Sequence, residues 1–233
     1  VDLSATYCYS ITGKKRTGKT NVLKLLIMSA YAKNDNGKIV IIEKSSSELK
    51  QIANYVGAEY LVSEENISAY FNEIVPEFVR RNKLKHQYIN DGKTEKEIYE
   101  LMKTNKPIYI FIADIGAFMN EIYHPENNIS PMNPFFENIF EKGFLHNIFF
   151  FSCVNTEESS TLAGYRSYNI FTSYKTGVHL GGNISAQRIF TFQNIGFNDL
   201  SKSMKKGMGL VPSADDESIC KKIVIPLFGG LGK

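Results

Sequence analysis

Residues 13–20 read Gly-Lys-Lys-Arg-Thr-Gly-Lys-Thr, a complete G-x-x-x-x-G-K-T phosphate-binding loop. The loop follows an apolar stretch, residues 5–11, and precedes a strongly helical one, residues 21–31. Its glycines let successive N–H groups point at a polyphosphate, and the positive end of the following helix adds to the attraction. Because the strand and helix flanks that the motif requires are both present, we interpret it as a phosphate-binding loop rather than a glycine-bearing surface turn.

Two residues of the loop have specific chemical roles in this interpretation. Lys19 is expected to reach the β- and γ-phosphates of a nucleotide, and Thr20 to present its hydroxyl to Mg²⁺. The candidate nucleotide-binding residues of this segment are Gly13, Lys14, Arg16, Thr17, Gly18, Lys19, Thr20 and Asn21.

Composition limits the other classes of function. The 233 residues are 43% hydrophobic and 12% aromatic, which is typical of a globular chain with one sizeable core. A net charge of +3, spread along the chain, gives no reason to expect a nucleic acid or an anionic membrane as partner. The three cysteines lack metal-ligand spacing, and their odd number suggests reduced thiols in a cytosolic compartment. Because the chain begins at Val1, we expect one domain cut from a longer polypeptide.

Apolar, strand-like segments alternate with helical ones, which predicts an α/β fold with a mostly parallel sheet and helices on both faces. Strands are predicted at residues 7–11, 38–42, 59–62, 107–114, 147–152, 169–174, 207–211 and 222–227. Helices are predicted at residues 47–55, 66–90 with a kink or break at Pro76, 94–104 and 133–141. Residues 179–183 are expected to form a tight loop, and the glycine-rich residues 228–233 a mobile tail.

A second motif is the apolar segment 107–114, Pro-Ile-Tyr-Ile-Phe-Ile-Ala-Asp, which ends on a carboxylate. By itself, an aspartate after a buried strand is more often a helix N-cap or a turn residue. With the phosphate-binding loop upstream, Asp114 is better interpreted as the Walker B aspartate that reaches the Mg²⁺ sphere beside Thr20. Asp114 is therefore the candidate catalytic residue and, with Thr20, the candidate metal ligand.

The residue after Asp114 is Ile115, where many ATPases have a glutamate that polarises the attacking water. An isoleucine neither orients a water nor accepts its proton, so we predict nucleotide binding with weak or absent hydrolysis. If only this group is missing, Ile115→Glu is expected to raise the rate on the order of 10²- to 10⁴-fold, and no rise would mean that the site has lost more than its base. Glu43 and Glu121 are alternative carboxylates for this role, although a carboxylate at a strand end is more often simply solvated.

Asn155, which follows the very apolar segment 147–152, is a further candidate. In related ATPases, polar residues at the end of this strand sense the γ-phosphate by hydrogen bonding. An asparagine in this position is equally able to make a local turn hydrogen bond, and both interpretations stay open.

In order and spacing, these motifs resemble those of the FtsK/SpoIIIE motor ATPases. The resemblance rests on residues 12–21, the strand that ends at Asp114, and residues 152–156, 174–183 and 206–210. It implies a RecA-like fold, ATP and Mg²⁺ as ligands, and a hexameric assembly. It also implies that phosphate and Mg²⁺ are bound by Gly13, Gly18, Lys19, Thr20 and Asp114.

Within this family, the degenerate features are most similar to an ATPase domain of the type VII (Ess) protein secretion system. This similarity implies that residues 1–233 are a single ATPase domain, on the cytoplasmic side, of a membrane-anchored bacterial protein with several such domains. The partners that it implies are those neighbouring domains, further copies of the same protein, and small helical secretion substrates of the WXG type.

The sequence departs from the family pattern at two positions. Ile115 replaces the expected glutamate, and Val154 stands where motor members have a sensing glutamine, which implies binding with reduced turnover. Two alternatives stay open: a DNA-translocating motor, which the modest charge does not favour, and a non-catalytic module that docks secretion substrate. Arg166 and Arg188 are candidates for an arginine supplied in trans, although surface arginines are more common.

Overall fold

The computed structural model describes residues 1–44, 46–213, 216 and 218–231, which form an eight-stranded sheet covered by helices. The strands are β1 (Cys8–Gly13), β2 (Lys38–Ile42), β3 (Glu59–Leu61), β4 (Ile108–Ile112), β5 (Ile148–Asn155), β6 (Thr176–Asn183), β7 (Ser203–Pro212) and β8 (Cys220–Val224). The helices are α1 (Lys19–Ala32), α2 (Lys50–Val56), α3 (Glu64–Asn90), α4 (Glu95–Met102), α5 (Ile115–Tyr123), α6 (Asn133–Lys142), α7 (Ser159–Leu162), α8 (Arg166–Ser173) and α9 (Phe197–Leu200). The predicted α/β class is confirmed.

The order of the strands brings three carboxyl ends together. The order is β3-β2-β4-β5-β1-β6-β7-β8, with parallel pairs from β3 to β6 and antiparallel pairs beyond. Every residue of β4 and β5 is buried, as expected for parallel strands covered on both faces. Strand β5 lies between β1 and β4, with Gly13 opposite Asn155 and Ile112 opposite Ser152. The ends of β1, β4 and β5 therefore meet at one edge, where ligands bind in sheets of this kind.

Apolar cores fill the space on both faces of the sheet. On one face α3, α5, α6 and α8 pack on the strands, and the rings of Phe140 and Phe150 meet edge to face with centroids 5.1 Å apart. On the other face α1 and α2 cover Phe111 and Phe151, whose rings stack at 4.9 Å. Phe150 and Phe151 thus serve opposite cores, because successive side chains of a strand point to opposite faces.

Helix α3 has 27 residues and continues through Pro76, so of the predicted kink or break the break does not occur. Ser63 caps its start by accepting a hydrogen bond from the Asn66 N–H. A buried stripe that includes Phe71 and Phe78 fixes the helix on the sheet, which offsets the backbone hydrogen bond that proline removes. Neither α3 nor any other helix of the described residues has both the length and the apolar character needed to cross a membrane.

Two sequence predictions are wrong in the last third of the chain. Residues 169–174, predicted as a strand, fall largely in α8, where Tyr168 and Phe171 pack into the core from one helix face. Residues 179–183, expected to form a tight loop, are the end of β6, which pairs with β1 and β7. The sequence pattern also missed α5, which begins immediately after Asp114.

Candidate nucleotide-binding site

The phosphate-binding loop connects the end of β1 to the start of α1, and its glycines are required by the backbone. Gly18 has a φ of +98°, a conformation that L side chains rarely adopt. A Cβ on Gly13 would lie 2.3 Å from the carbonyl oxygen of Leu180 on β6. The loop is therefore packed against the neighbouring strand too closely for any other residue at position 13.

Lys19 lies under the loop. Its Nζ donates to the carbonyl oxygens of Gly13, at 2.9 Å, and Lys14, at 2.6 Å. The Thr17 hydroxyl also donates to the Lys14 carbonyl, at 2.9 Å. Burial lowers the pKa of Lys19, while Cys153 and the nearby carboxylates act in the opposite direction. The ammonium group is thus held at the centre of the loop, where it is placed to meet phosphate.

The end of β6 supports the loop from the side. Strand β6 has an irregularity between Leu180 and Gly182, and Gly181 and Gly182 have φ values of +56° and +77°. A Cβ on Gly181 would stand 2.9 Å from Thr17 Cγ2, and one on Gly182 would stand 3.1 Å from Lys14 Cγ. The Gly-Gly pair therefore lets β6 approach the loop closely, a role that glycine plays at β-bulges.

A cleft of about 240 Å³ opens at the carboxyl ends of β1, β4 and β5. Lys19 and Thr20 line it from the loop, Asp114 from the end of β4, and Asn155 from the end of β5. Arg16 also lines it. The structure thus brings the main sequence-predicted site residues to one place.

Asp114 serves the fold and remains available to a ligand. Its Oδ1 accepts hydrogen bonds from the N–H groups of Gly116, at 2.8 Å, and Ala117, at 3.1 Å, so it is the N-cap of α5. No donor among the described residues contacts its Oδ2. Hydroxyl and carboxylate oxygens are ligands that Mg²⁺ prefers, and Thr20 lines the same cleft. Thr20 and Asp114 therefore fit a Mg²⁺ ion that is bound together with nucleotide phosphates.

Ile115 points away from this cleft. Its side chain is 0% exposed and belongs to the core between the sheet and α3, α5, α6 and α8. A longer polar side chain at this position would enter the core before it reached the cleft. This placement favours the second outcome named for Ile115→Glu, in which a glutamate at position 115 does not raise hydrolysis.

Glu43, the first alternative carboxylate, is fully committed to the fold. Tyr60 donates to its Oε2 at 2.7 Å, the Leu49 N–H to Oε2 at 3.0 Å, and the Glu48 N–H to Oε1 at 3.1 Å. The Ser46 hydroxyl donates to Oε1 as well. With four donors and only 2% exposure, Glu43 holds the segment that leads into α2.

Glu121, the second alternative, is bound elsewhere. Its Oε1 forms an ion pair with Lys44 at 3.4 Å, and its Oε2 accepts from the Asn127 amide at 3.2 Å. Arg166, a candidate for a trans-acting arginine, likewise forms surface ion pairs, with Glu137 at 3.6 Å and Glu141 at 3.8 Å.

The sequence left two roles open for Asn155, and in the structure its side chain makes the local hydrogen bonds. Its Oδ1 accepts from the Glu157 N–H at 3.2 Å, and its Nδ2 donates to Glu158 Oε1 at 2.7 Å. Sequence reasoning did not single out Glu158. The only signal for it is its position three residues after a strand-end asparagine.

Asn21 ties the C-terminal segment to the loop. Its Nδ2 donates to the Pro226 carbonyl at 2.9 Å, and its Oδ1 accepts from the Phe228 N–H at 2.7 Å. The expected mobile tail is thus hydrogen bonded at its first residue, while residues 232 and 233 lie outside the described part of the chain. Between this segment and the loop lies a second cleft, of about 330 Å³, which Arg16 and Asn21 line together with Met208 and Leu227.

Solved structures of several ATPases have the same fold. The cytoplasmic domain of EssC matches with a TM-score of 0.71 at 17% identity, over 94% of this chain and 39% of that chain. Thermomonospora curvata EccC (ATPases 2 and 3, in complex with a signal sequence peptide) matches at 0.69 and 11% identity, over 99% and 38%. The pCW3 conjugation coupling protein TcpA, in its monomer form with ATPγS, matches at 0.68 and 12% identity, over 98% and 62%.

No protein-family model and no curated protein sequence matches the chain. At the identities found, the structural matches show the fold, which is the RecA-like P-loop ATPase fold that the family resemblance implies. The chain spans about two fifths of the length of the EssC and EccC chains that it matches.

Proposed function

We propose that this chain is an ATP-binding domain of a type VII protein-secretion motor, equivalent to the third, C-terminal ATPase domain of an EssC-type protein. The observation that carries the proposal is the meeting of Lys19, Thr20 and Asp114 in one cleft of a RecA-like fold. A chain that only docks other proteins has no chemical need of these three side chains together. The shared fold with EssC and EccC supplies the secretion context.

In this proposal each of the two clefts binds a different part of the nucleotide. Backbone N–H groups of the loop and Lys19 bind the phosphates, and the cleft beside Met208 and Leu227 takes the nucleoside. Thr20 and Asp114 hold Mg²⁺, which neutralises charge on the phosphate oxygens when bound. The position after Asp114 faces the core, so it contributes no water-positioning group to this cleft.

The wider role follows from the relatives. EccC is described in complex with a signal sequence peptide, and its ATPases 2 and 3 belong to one chain. By analogy, this domain works beside other ATPase domains in a hexameric, membrane-anchored protein, on its cytoplasmic side, and contributes to recognition and transport of small helical WXG-type substrates.

Calorimetry of Mg-ATP binding tests the proposal. The parent chain is expected to bind saturably, and Lys19→Ala to bind on the order of 10²-fold more weakly, since a hydrogen bond to a charged group contributes about 1.5 to 3 kcal/mol. The matched control is Lys24→Ala, which should bind like the parent. Lys24 lies five residues after Lys19 on α1 and lines neither cleft. Absence of binding by a folded parent chain would refute the proposal in favour of a docking module.

A further inference from the structure

Glu158 lies beside the phosphate cleft, next to Asn155 and Asp114, and is not itself one of the residues that line it. It follows β5, the strand that lies between β1 with its phosphate-binding loop and β4 with Asp114. The Asn155 Nδ2 donates to its Oε1 at 2.7 Å, so one carboxylate oxygen is held in a defined orientation. The other oxygen, Oε2, is directed towards the first turn of α5.

The first turn of α5 has room for this carboxylate because it contains a glycine. A Cβ on Gly116 would stand 2.8 Å from Glu158 Oε2 and 3.2 Å from Asp114 Oδ1. The two carboxylates therefore lie close to the same point, Asp114 just after β4 and Glu158 in the turn that follows β5. Any side chain at position 116 would displace Glu158, which makes Gly116 part of the arrangement.

We propose that Glu158 is the carboxylate that positions and activates the attacking water, a role moved from the end of β4 to the end of β5. The inference rests on the proposed function, since it requires bound ATP. Glu158 is half-buried, whereas the adjacent Glu157 is exposed. Burial lowers the pKa of Lys19, and the charges of both Glu158 and Glu157 raise it, so both carboxylates lie near the phosphate-binding centre and only their burial and contacts distinguish them.

The other carboxylates near the cleft are unsuited to the task. Glu43 accepts four hydrogen bonds, and Glu121 is paired with Lys44 and Asn127. Asp114 Oδ1 caps α5, and its Oδ2 is the oxygen that the proposed function assigns to Mg²⁺. Glu158 Oε2, in contrast, has no hydrogen-bond donor among the described residues and is free to accept one from water.

The chemical step is an in-line displacement. The water oxygen forms a bond to the γ-phosphorus while the bond from that phosphorus to the β–γ bridging oxygen breaks, and the bridging oxygen leaves on ADP with the electron pair. Glu158 accepts the proton that the water loses and releases it to phosphate or solvent. Such a group contributes on the order of 10²- to 10⁴-fold to the rate.

Single-turnover hydrolysis of Mg-ATP, with the chain in excess, tests the inference. Glu158→Gln keeps the size of the side chain and its hydrogen bond to Asn155, and it is expected to slow hydrolysis at least on the order of 10²-fold. Glu157→Gln makes the same change of charge one residue away and should hydrolyse at the parental rate. Calorimetric affinity for Mg-ATP and the midpoint of thermal unfolding should be unchanged in both variants.

Gly116→Ala provides a second variant that leaves Glu158 itself intact. The added methyl group would crowd Glu158 Oε2, at 2.8 Å, more than Asp114 Oδ1, at 3.2 Å, so hydrolysis should slow by a larger factor than nucleotide affinity falls. Parental hydrolysis by Glu158→Gln, or an equal loss in Glu157→Gln, would overturn the inference. So would a parent that binds Mg-ATP without any turnover, although the proposed nucleotide-binding function would then stand. A parent that does not bind Mg-ATP would instead overturn the proposed function.

Discussion

At position 115 the core requires an apolar side chain, whereas the water-positioning role would require a carboxylate. It is the first residue of α5, and its side chain is 0% exposed within the core. A glutamate there would bury a carboxylate among apolar neighbours, away from the cleft. Position 115 in this chain therefore stabilises the fold and is closed to the water-positioning role.

Ile115→Glu is accordingly expected to destabilise the chain by about 3 to 5 kcal/mol, because a buried charge without a partner costs that much. Ile115→Val, the control, removes one methylene group and should cost about 0.5 to 1.5 kcal/mol. Urea unfolding measures both values. A glutamate variant that is as stable as the parent and hydrolyses ATP faster would contradict this placement of the side chain.

Glu43 offers a second test at the scale of one residue. Glu43→Ala leaves the Tyr60 hydroxyl and two backbone N–H groups without their acceptor, and each unsatisfied buried group costs about 1 to 3 kcal/mol. We expect a marked loss of stability in urea unfolding, with the calorimetric affinity of the remaining folded protein for Mg-ATP unchanged. Glu48→Ala, on the exposed neighbour, should leave stability within about 0.5 kcal/mol of the parent. A loss of affinity in Glu43→Ala would instead assign Glu43 to the nucleotide site.

At the scale of the elements, α3 fixes the segments that immediately precede two central strands. Arg81 on this helix is 2% exposed, and its guanidinium donates to the carbonyl oxygens of His146, at 2.8 Å, Asn147, at 3.1 Å, and Lys106, at 2.8 Å. These three residues precede β5 and β4. One side chain of α3 thus fixes the start of both strands whose ends form the cleft.

Arg81→Met is therefore expected to cost at least about 2 kcal/mol, since it leaves the His146 and Lys106 carbonyl groups without this donor, at about 1 to 3 kcal/mol for an unsatisfied buried group, while Asn147 and Glu77 keep other donors. Arg80→Met is the matched control, because Arg80 bonds to the same Glu77 from an exposed position and should contribute less than about 1 kcal/mol. Thermal and urea unfolding compare the two. Similar losses of unfolding free energy in both variants would show that the contacts of Arg81 with the segments before β4 and β5 contribute little to stability.

The elements also show what the sequence was able to predict. The loop, α1 and strands β1, β2, β4 and β5 were predicted because they combine a specific motif with uniformly apolar runs. Helix α8 was missed because Ile170, Phe171 and Thr172 favour strands locally, whereas packing of Tyr168 and Phe171 on the core decides for a helix. The support of the loop by Gly181 and Gly182 depends on a long-range approach of β6, for which local sequence carries no signal.

The same distinction applies to the site. Lys19, Thr20 and Asp114 belong to motifs of fixed spacing, so the sequence predicted that they would meet. Asn21 and Glu158 have roles that depend on partners distant in the chain, the C-terminal segment at Pro226 and the first turn of α5. Only the folded chain identifies those partners.

At the scale of the whole molecule, two buried histidines couple stability to pH. His146 is 0% exposed, and neither of its ring nitrogens has a hydrogen-bond partner among the described residues. Burial, with the charges of Lys85 and Arg81 nearby, lowers the pKa of His146 to about 3. Burial also lowers the pKa of His179, whose Nδ1 lies 2.9 Å from the Thr12 hydroxyl, to about 4. Both rings are therefore neutral in the folded chain at pH values where the unfolded chain protonates them.

The free energy of unfolding should consequently fall as the pH drops below about 6.5, where unfolded histidine gains a proton that the folded state excludes. The expected slope approaches about 1.4 kcal/mol per pH unit for each histidine, and it is fully absent above that range. Urea unfolding between pH 7.5 and 5 separates this effect from carboxylate titration, which begins lower. His146→Leu should lower the dependence of the unfolding free energy on pH by the contribution of one proton. His124→Gln, which replaces an exposed histidine, should leave this dependence unchanged. If the parent and His146→Leu lose stability equally on acidification, His146 is protonated in the folded chain and its burial does not control the pH dependence.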